Sequence, residues 1–250
     1  MWKPKVVDPT QQKPDGAIRL LCLSDTHGMH EQIPQEQLFK CDILIFAGDF
    51  SNLGNPKEVA SFVKWIDALG IKNNIVIAGN SDLPFETKKL EHFRNIYQSY
   101  SKTNIPIEDV KNYVLDDKNI TYLEHNSCVI DGIKIFGSPY QPEFKDLAFN
   151  MYGNDAVSRW SDVPNDADII ITHGPPKEIG DTTSTGFHAG CPELRKAIEK
   201  AKPALCIFGH IHEAHSIQTI GETLYCNVSI LDGKNHVANK PTYIDMIRIN

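Results

Sequence analysis

Five apolar runs in the chain end on residues that can bind metal ions. Leu20–Leu23 leads into Ser24-Asp25-Thr26-His27, Ile43–Ala47 into Gly48-Asp49, and Ile75–Ala78 into Gly79-Asn80. Further on, Ile169–Ile171 leads into Thr172-His173, and Ala204–Phe208 into Gly209-His210-Ile211-His212. Three oxygen donors and four imidazoles suit two adjacent divalent ions. An Asp carboxylate can bridge two ions, an Asn carbonyl is a neutral oxygen ligand, and imidazole accepts Zn, Fe, Mn or Co. No cysteine belongs to the set, so it is not a structural thiolate zinc site. Taken singly, each Asp or Asn would be an ordinary turn or cap residue, and each histidine a structural one. Five such endings in order point instead to a metal centre built from Asp25, His27, Asp49, Asn80, His173, His210 and His212.

The elements that must carry these residues are legible around them. Short runs of Ile, Leu and Val without alternation read as strands buried on both faces. In open α/β sheets the carboxyl ends of such strands are where ligands bind. Helices are predicted over Pro56–Leu69, with Asn55 as N-cap, and over Pro192–Lys202, where apolar residues recur at i, i+3, i+4 and i+7. A third helix is expected between Glu86 and Tyr97. The Asp131-Gly132 and Gly221-Glu222 pairs separate apolar stretches as hairpin turns do, and Thr242–Ile249 alternates like a closing strand. Together these predict an α/β protein of two packed sheets flanked by helices, one domain over residues 1–250, with residues 1–16 an irregular N-terminal extension.

The same residues carry a resemblance. Asp25-Thr26-His27, Gly48-Asp49, Gly79-Asn80, His173 and Gly209-His210-Ile211-His212 resemble the five-block signature of calcineurin-like metallophosphoesterases. Gly137–Phe144, Thr172–Pro176 and Gly190-Cys191 resemble its metallophosphoesterase-domain-containing branch. The resemblance implies a four-layer α/β/β/α sandwich with two mixed sheets. It also implies two divalent metal ions (Mn, Fe, Zn or Co), with Asp25, His27 and His212 on one, Asn80, His173 and His210 on the other, and Asp49 bridging them. The implied reaction is hydrolysis of small, including cyclic, nucleotide or related organic phosphodiesters by attack of a metal-bridging hydroxide. The alternatives are a broad phosphomonoesterase or protein phosphatase, and a weakly active metal-binding scaffold. One departure stands out: the family block reads Gly-Asn-His-Asp/Glu, and this chain has Ser81 in place of its histidine. A hydroxyl cannot supply general-acid catalysis near neutral pH, a contribution typically worth about 10²–10⁴-fold. Asn80, Ser81 and the loop residue His188 are the candidate substrate contacts. Tyr140, Phe144, Phe149, Tyr152 and Trp160 could stack on a base or pack the loop that holds them, and Asn52 could touch phosphate or turn its loop.

Composition sets the outer limits. Lys and Arg number 25 against 32 Asp and Glu, a formal charge of −7, which disfavours gripping long nucleic acid. The six cysteines form no C-x-x-C pair, the first sixteen residues lack the apolar core of a signal peptide, and no run reaches membrane-spanning length. The expectation is a cytoplasmic protein acting on a small phosphodiester, without a membrane.

Overall fold

An unbroken apolar run needs apolar surroundings on both sides, and this fold supplies them. The computed structural model describes residues 1–249. Its first sheet contains β1 (Trp2–Val6), β2 (Ile18–Leu23), β3 (Ile43–Ala47), β4 (Asn73–Ile77) and β5 (Ile120–Tyr122). The second contains β6 (Asn126–Ile130), β7 (Ile133–Ser138), β10 (Ile169–Thr172), β11 (Leu205–Phe208), β12 (Ser216–Ile220) and β13 (Thr223–Asn227). Between β7 and β10, β8 (Gln141–Pro142) and β9 (Asn150–Met151) pair as a short parallel clip. The last strand, β14 (Thr242–Arg248), returns to the first sheet between β1 and β2, antiparallel to both. The orders are β1-β14-β2-β3-β4-β5 and β12-β13-β11-β10-β7-β6. In the first sheet β2 to β5 run parallel, and in the second β7, β10, β11 and β13 do.

Successive residues of the inner strands enter different cores. In β2, Leu20 and Cys22 point between the sheets while Leu21 and Leu23 point outward under the helices. The outer face of the first sheet is covered by α1 (Pro56–Ala68), α2 (Leu90–Ser101), α3 (Ile107–Val110) and α4 (Asn112–Leu115), through Val59, Phe62, Ile66, Phe93, Tyr97 and Val110. The outer face of the second lies under α5 (Asp155–Ser161) and α6 (Pro192–Ala201), through Trp160, Leu194 and Ile198. The architecture is the four-layer α/β/β/α sandwich. Asn55 caps α1 by accepting from the Lys57 amide at 3.0 Å, with Pro56 at the first helical position. Among the described residues, no helix is long and apolar enough to cross a membrane.

Two expectations need correction. Residues 1–16 are not irregular throughout: Trp2–Val6 forms β1, in register with β14 from Trp2–Arg248 to Val6–Ile244. An edge strand needs a hydrogen-bonded partner on one side only, so it tolerates Pro4 and two lysines. Trp2 is its one buried side chain, its indole donating to the Gly132 carbonyl at 3.3 Å. The third helix begins later, at Leu90, because Glu86 turns inward and accepts from the Phe149 amide at 2.7 Å.

Candidate metal centre

The parallel strands of both sheets end at one edge, and the seven predicted ligands follow those ends. β2 delivers Asp25 and His27, β3 Asp49 and β4 Asn80; β10 delivers His173, and β11 delivers His210 and His212. The donor atoms of Asp25, His27 and His212 lie within 4.8 Å of one another, as do those of Asp25, Asp49 and His173. Asp49 Oδ2 stands 3.4 Å from His27 Nε2 and 3.5 Å from His173 Nε2, between the two groups. His212 Nε2 lies 3.6 Å from Asp25 Oδ1, and Asn80 Oδ1 lies 2.9 Å from His173 Nε2. The His210 ring packs on His173 with 4.9 Å between centroids.

Strained backbone presents these side chains. Asp25 (φ 54°), His27 (43°), Asp49 (57°) and His210 (68°) all occupy the left-handed region. That conformation costs a non-glycine residue about 1–3 kcal/mol and persists only where its surroundings enforce it. The glycines preceding Asp49, Asn80 and His210 serve close approach more than a sharp turn. Gly79 and Gly209 have no positive φ, but a Cβ on Gly79 would lie 2.2 Å from Asp49 Oδ1, and one on Gly209 would lie 2.1 Å from Asp25 Oδ2. Only Gly48 (φ 95°) combines both demands, its Cβ position being 2.6 Å from His173 Nδ1.

Hydrogen bonds fix each carboxylate. The Ser24 hydroxyl donates to Asp25 Oδ2 at 2.6 Å, and the His210 amide donates to both Asp25 oxygens at 3.0 and 3.1 Å. Ser81 is turned onto Asp49, its amide donating to Oδ1 at 2.8 Å and its hydroxyl to Oδ2 at 3.1 Å. Behind them lies Asp82, fully buried, at the Asp/Glu position of the Gly79-Asn80-Ser81-Asp82 block and absent from the predicted site residues. It accepts from the amides of Asp49, Ser51 and Gly79 at 2.9–3.0 Å and from the Ser51 hydroxyl at 2.6 Å, tying β3 to β4. Burial and the neighbouring Asp49 push the Asp82 carboxyl upward, against those four donors.

The donor set fits divalent ions. His173 Nδ1 lies 3.0 Å from the Ala47 carbonyl and donates to it, so in the neutral ring the Nε2 lone pair faces Asn80 Oδ1 and Asp49 Oδ2. Three acceptors meeting in a buried site require a proton or a cation among them. Burial works against charge on His173, but Asp49 and Asp25 outweigh it and push the imidazole up to about 9. Burial likewise opposes ionisation of Asp49, yet His173 and His27 hold it well below the usual carboxylate range. His210, pushed down to about 3 by burial and by His173, keeps a neutral ring with a lone pair to offer.

The predicted ligands open into a cleft of about 650 Å³, also lined by Asn52, Leu53, Glu58, Ser81, Phe144, Lys145, Leu147 and Glu213. Asn80 lines it too. His188 does not line it: its Nδ1 is held by buried Asp181 at 2.7 Å. Asn52 turns its loop, its side-chain amide donating to the His27 carbonyl at 2.7 Å while its backbone amide donates to Glu58 at 2.6 Å. Of the aromatic cluster, Phe149 and Trp160 are core, Tyr140 packs between Phe149 and Arg159, and Tyr152 lies beside Lys89. Phe144 alone enters the cleft, perpendicular to the His210 ring at 5.2 Å.

A sequence model described as "Calcineurin-like phosphoesterase" matches residues 18–214. Metallophosphoesterase domain-containing protein 1 of Homo sapiens is 35% identical over 250 residues, covering 97% of this chain and 76% of the human one. Among solved structures, the phosphopantetheinyl hydrolase of Mycobacterium tuberculosis superposes with a TM-score of 0.58 at 15% identity, over 86% of this chain and 90% of its own. A Thermus thermophilus protein gives 0.55 at 13% identity, over 84% and 88%. At such identities these two neighbours establish the fold.

Proposed function

The chain belongs to the calcineurin-like phosphoesterase family, and from that premise we propose that it is a dinuclear metal-dependent phosphodiesterase acting on small nucleotide or related organic phosphodiesters. Asp25, His27 and His212 would hold one ion and Asn80, His173 and His210 the other, and Asp49 would serve both, as its distances to His27 and His173 favour. When bound, such a pair of ions lowers the pKa of water and neutralises phosphoryl oxygens during in-line displacement. The chain's own contribution is orientation: Ser24 and the His210 amide aim Asp25, and Ser81 aims Asp49.

The observation that carries the diester reading is Ser81. Where the family block has an imidazole, this chain has a hydroxyl already committed to Asp49, so that corner offers no acid for a poor leaving group. Activated or strained cyclic diesters need that acid least, and alkyl monoesters need it most. The net charge of −7 favours a small substrate over long nucleic acid. Cys22, Cys206 and Cys226, packed as apolar side chains in the cores, fit a reducing cytoplasm.

The test is hydrolysis of bis-p-nitrophenyl phosphate, 2′,3′-cyclic AMP and p-nitrophenyl phosphate by metal-stripped protein, with Mn²⁺ or Zn²⁺ added back. Diester turnover should return only with the ion and disappear in Asp49→Asn, while the circular dichroism spectrum is kept. Faster turnover of p-nitrophenyl phosphate than of either diester would make the protein a phosphomonoesterase. Tight ion binding with no turnover would make it a scaffold.

A further inference from the structure

Among the described residues lining the cleft, Lys145 is the only lysine or arginine. Its backbone is left-handed (φ 53°), a conformation uncommon outside glycine, and buried Asn150 holds it there. Asn150 Nδ2 donates to the Lys145 carbonyl at 2.7 Å, and its Oδ1 accepts from the Phe144 amide and from Gln141 Nε2, both at 3.1 Å. The ammonium lies 4.9 Å from the centroid of the Phe144 ring, which in turn packs on His210. One aromatic ring thus separates the cation from a predicted metal ligand. The adjacent carboxylate is diverted: Asp146 reaches His92 at 2.8 Å. The acids of the cleft wall are also engaged, Glu58 by the Asn52 amide and Glu213 by the Ser184 amide. Other lysines do pair with carboxylates, but among the described residues Lys145 has none.

An unpaired cation on a braced loop at the mouth of an anion-binding cleft is suited to recognition. We propose that Lys145 binds a second phosphate of the substrate, so that the enzyme prefers phosphodiesters carrying one about a ring's width from the scissile phosphorus. Phe144, Leu53 and Leu147 form the apolar wall along which the intervening organic body lies. The proposal rests on the phosphodiesterase reading and names its substrate class.

Two chromogenic diesters with one scissile bond test it: thymidine 5′-(p-nitrophenyl phosphate) and the same compound phosphorylated at the 3′ oxygen. Wild type should favour the 3′-phosphorylated ester about fivefold in kcat/KM at low salt, the upper range for a solvent-exposed charge pair. The gain should lie in KM. Lys145→Ala should level the two substrates, Lys145→Arg should restore the preference, and about 0.5 M salt should suppress it by screening. Calorimetric binding of thymidine 3′,5′-bisphosphate against thymidine 5′-monophosphate reads the same preference without turnover. If neither diester is hydrolysed but that binding preference depends on Lys145, the phosphodiesterase reading falls and the second-phosphate site stands. An unchanged binding preference in Lys145→Ala overturns the proposal.

Discussion

Replacing Gly79 by alanine isolates the packing that brings β3 and β4 together beneath the predicted metal ligands. The added Cβ would lie 2.2 Å from Asp49 Oδ1, 2.5 Å from the Asp49 amide nitrogen and 2.6 Å from His173 Cε1. Ordinary contact begins near 3.4 Å, so something must move by about 1 Å, and backbone and ligand are all that can. Overpacking a well-filled site costs about 1–3 kcal/mol, occasionally more, and the rigidity of these neighbours puts Gly79→Ala at about 3 kcal/mol. For a chain of this size that lowers Tm by about 6–12 °C. Gly132→Ala is the matched control. It has φ 80° and nothing within 4 Å of the new Cβ, so it meets only the left-handed backbone penalty of about 1–2 kcal/mol, partly offset by a stiffer unfolded chain. Urea titration of the metal-free proteins reads both costs. Calorimetry with Mn²⁺ should show affinity falling about 10–100-fold in Gly79→Ala, as when a group supporting a ligand is lost, and unchanged in Gly132→Ala. If Gly79→Ala matches wild type in both stability and Mn²⁺ affinity, the steric reasoning is refuted.

Two further variants test other parts of the molecule. Ser81→His places an imidazole where the family block has one, and should raise turnover of an unactivated dinucleotide by about tenfold or more while leaving bis-p-nitrophenyl phosphate little changed; equal effects on both would rule out leaving-group protonation. His30 lies fully buried against Phe62 and Trp65, with Nε2 donating to Ser61 and Nδ1 unpartnered, and burial pushes its pKa down to about 4. The unfolded chain binds that proton near pH 6.5 and the folded chain does not, so stability present above pH 6.5 is lost as the pH falls towards 4. The loss is about 3 kcal/mol, and urea midpoints of His30→Gln should lack that part of the slope; an identical slope would show that His30 protonates freely in the folded protein.

The strand ends were legible because parallel strands buried on both faces leave a crowded apolar record, and each record stopped at a polar residue. What sequence could not show is how those endings are held. The left-handed backbone at Asp25, His27, Asp49 and His210 has no local signature, since it is enforced by contacts from the other strands. Asp82 was visible as the last residue of Gly79-Asn80-Ser81-Asp82, yet its role as acceptor for three amides appears only when β3 and β4 lie side by side. β1 was missed because an edge strand with a proline and two lysines looks like solvated chain. Separating Phe144 from its four aromatic neighbours required knowing which way one loop folds, and Asn150, six residues on, decides that.

Four of the predicted ligands come from the first sheet and three from the second, and this division bears on how such a protein can change over evolutionary time. At the far end the layers are tied by the Trp2 indole reaching the Gly132 turn; at the ligand edge they meet through a knot of Asp, Asn and His. A descendant that abandoned metal chemistry would inherit converging acceptors at the mouth of its central core, with only a proton on His173 to reconcile them. Losing one ligand would leave the others stranded, so the two layers would have to be rebuilt together. Architecture and catalytic apparatus are thus inherited as one unit, whereas Lys145, exposed at the rim and tying no layers together, and Ser81, whose bonds to Asp49 stay within one sheet, are where a lineage can drift towards new substrates.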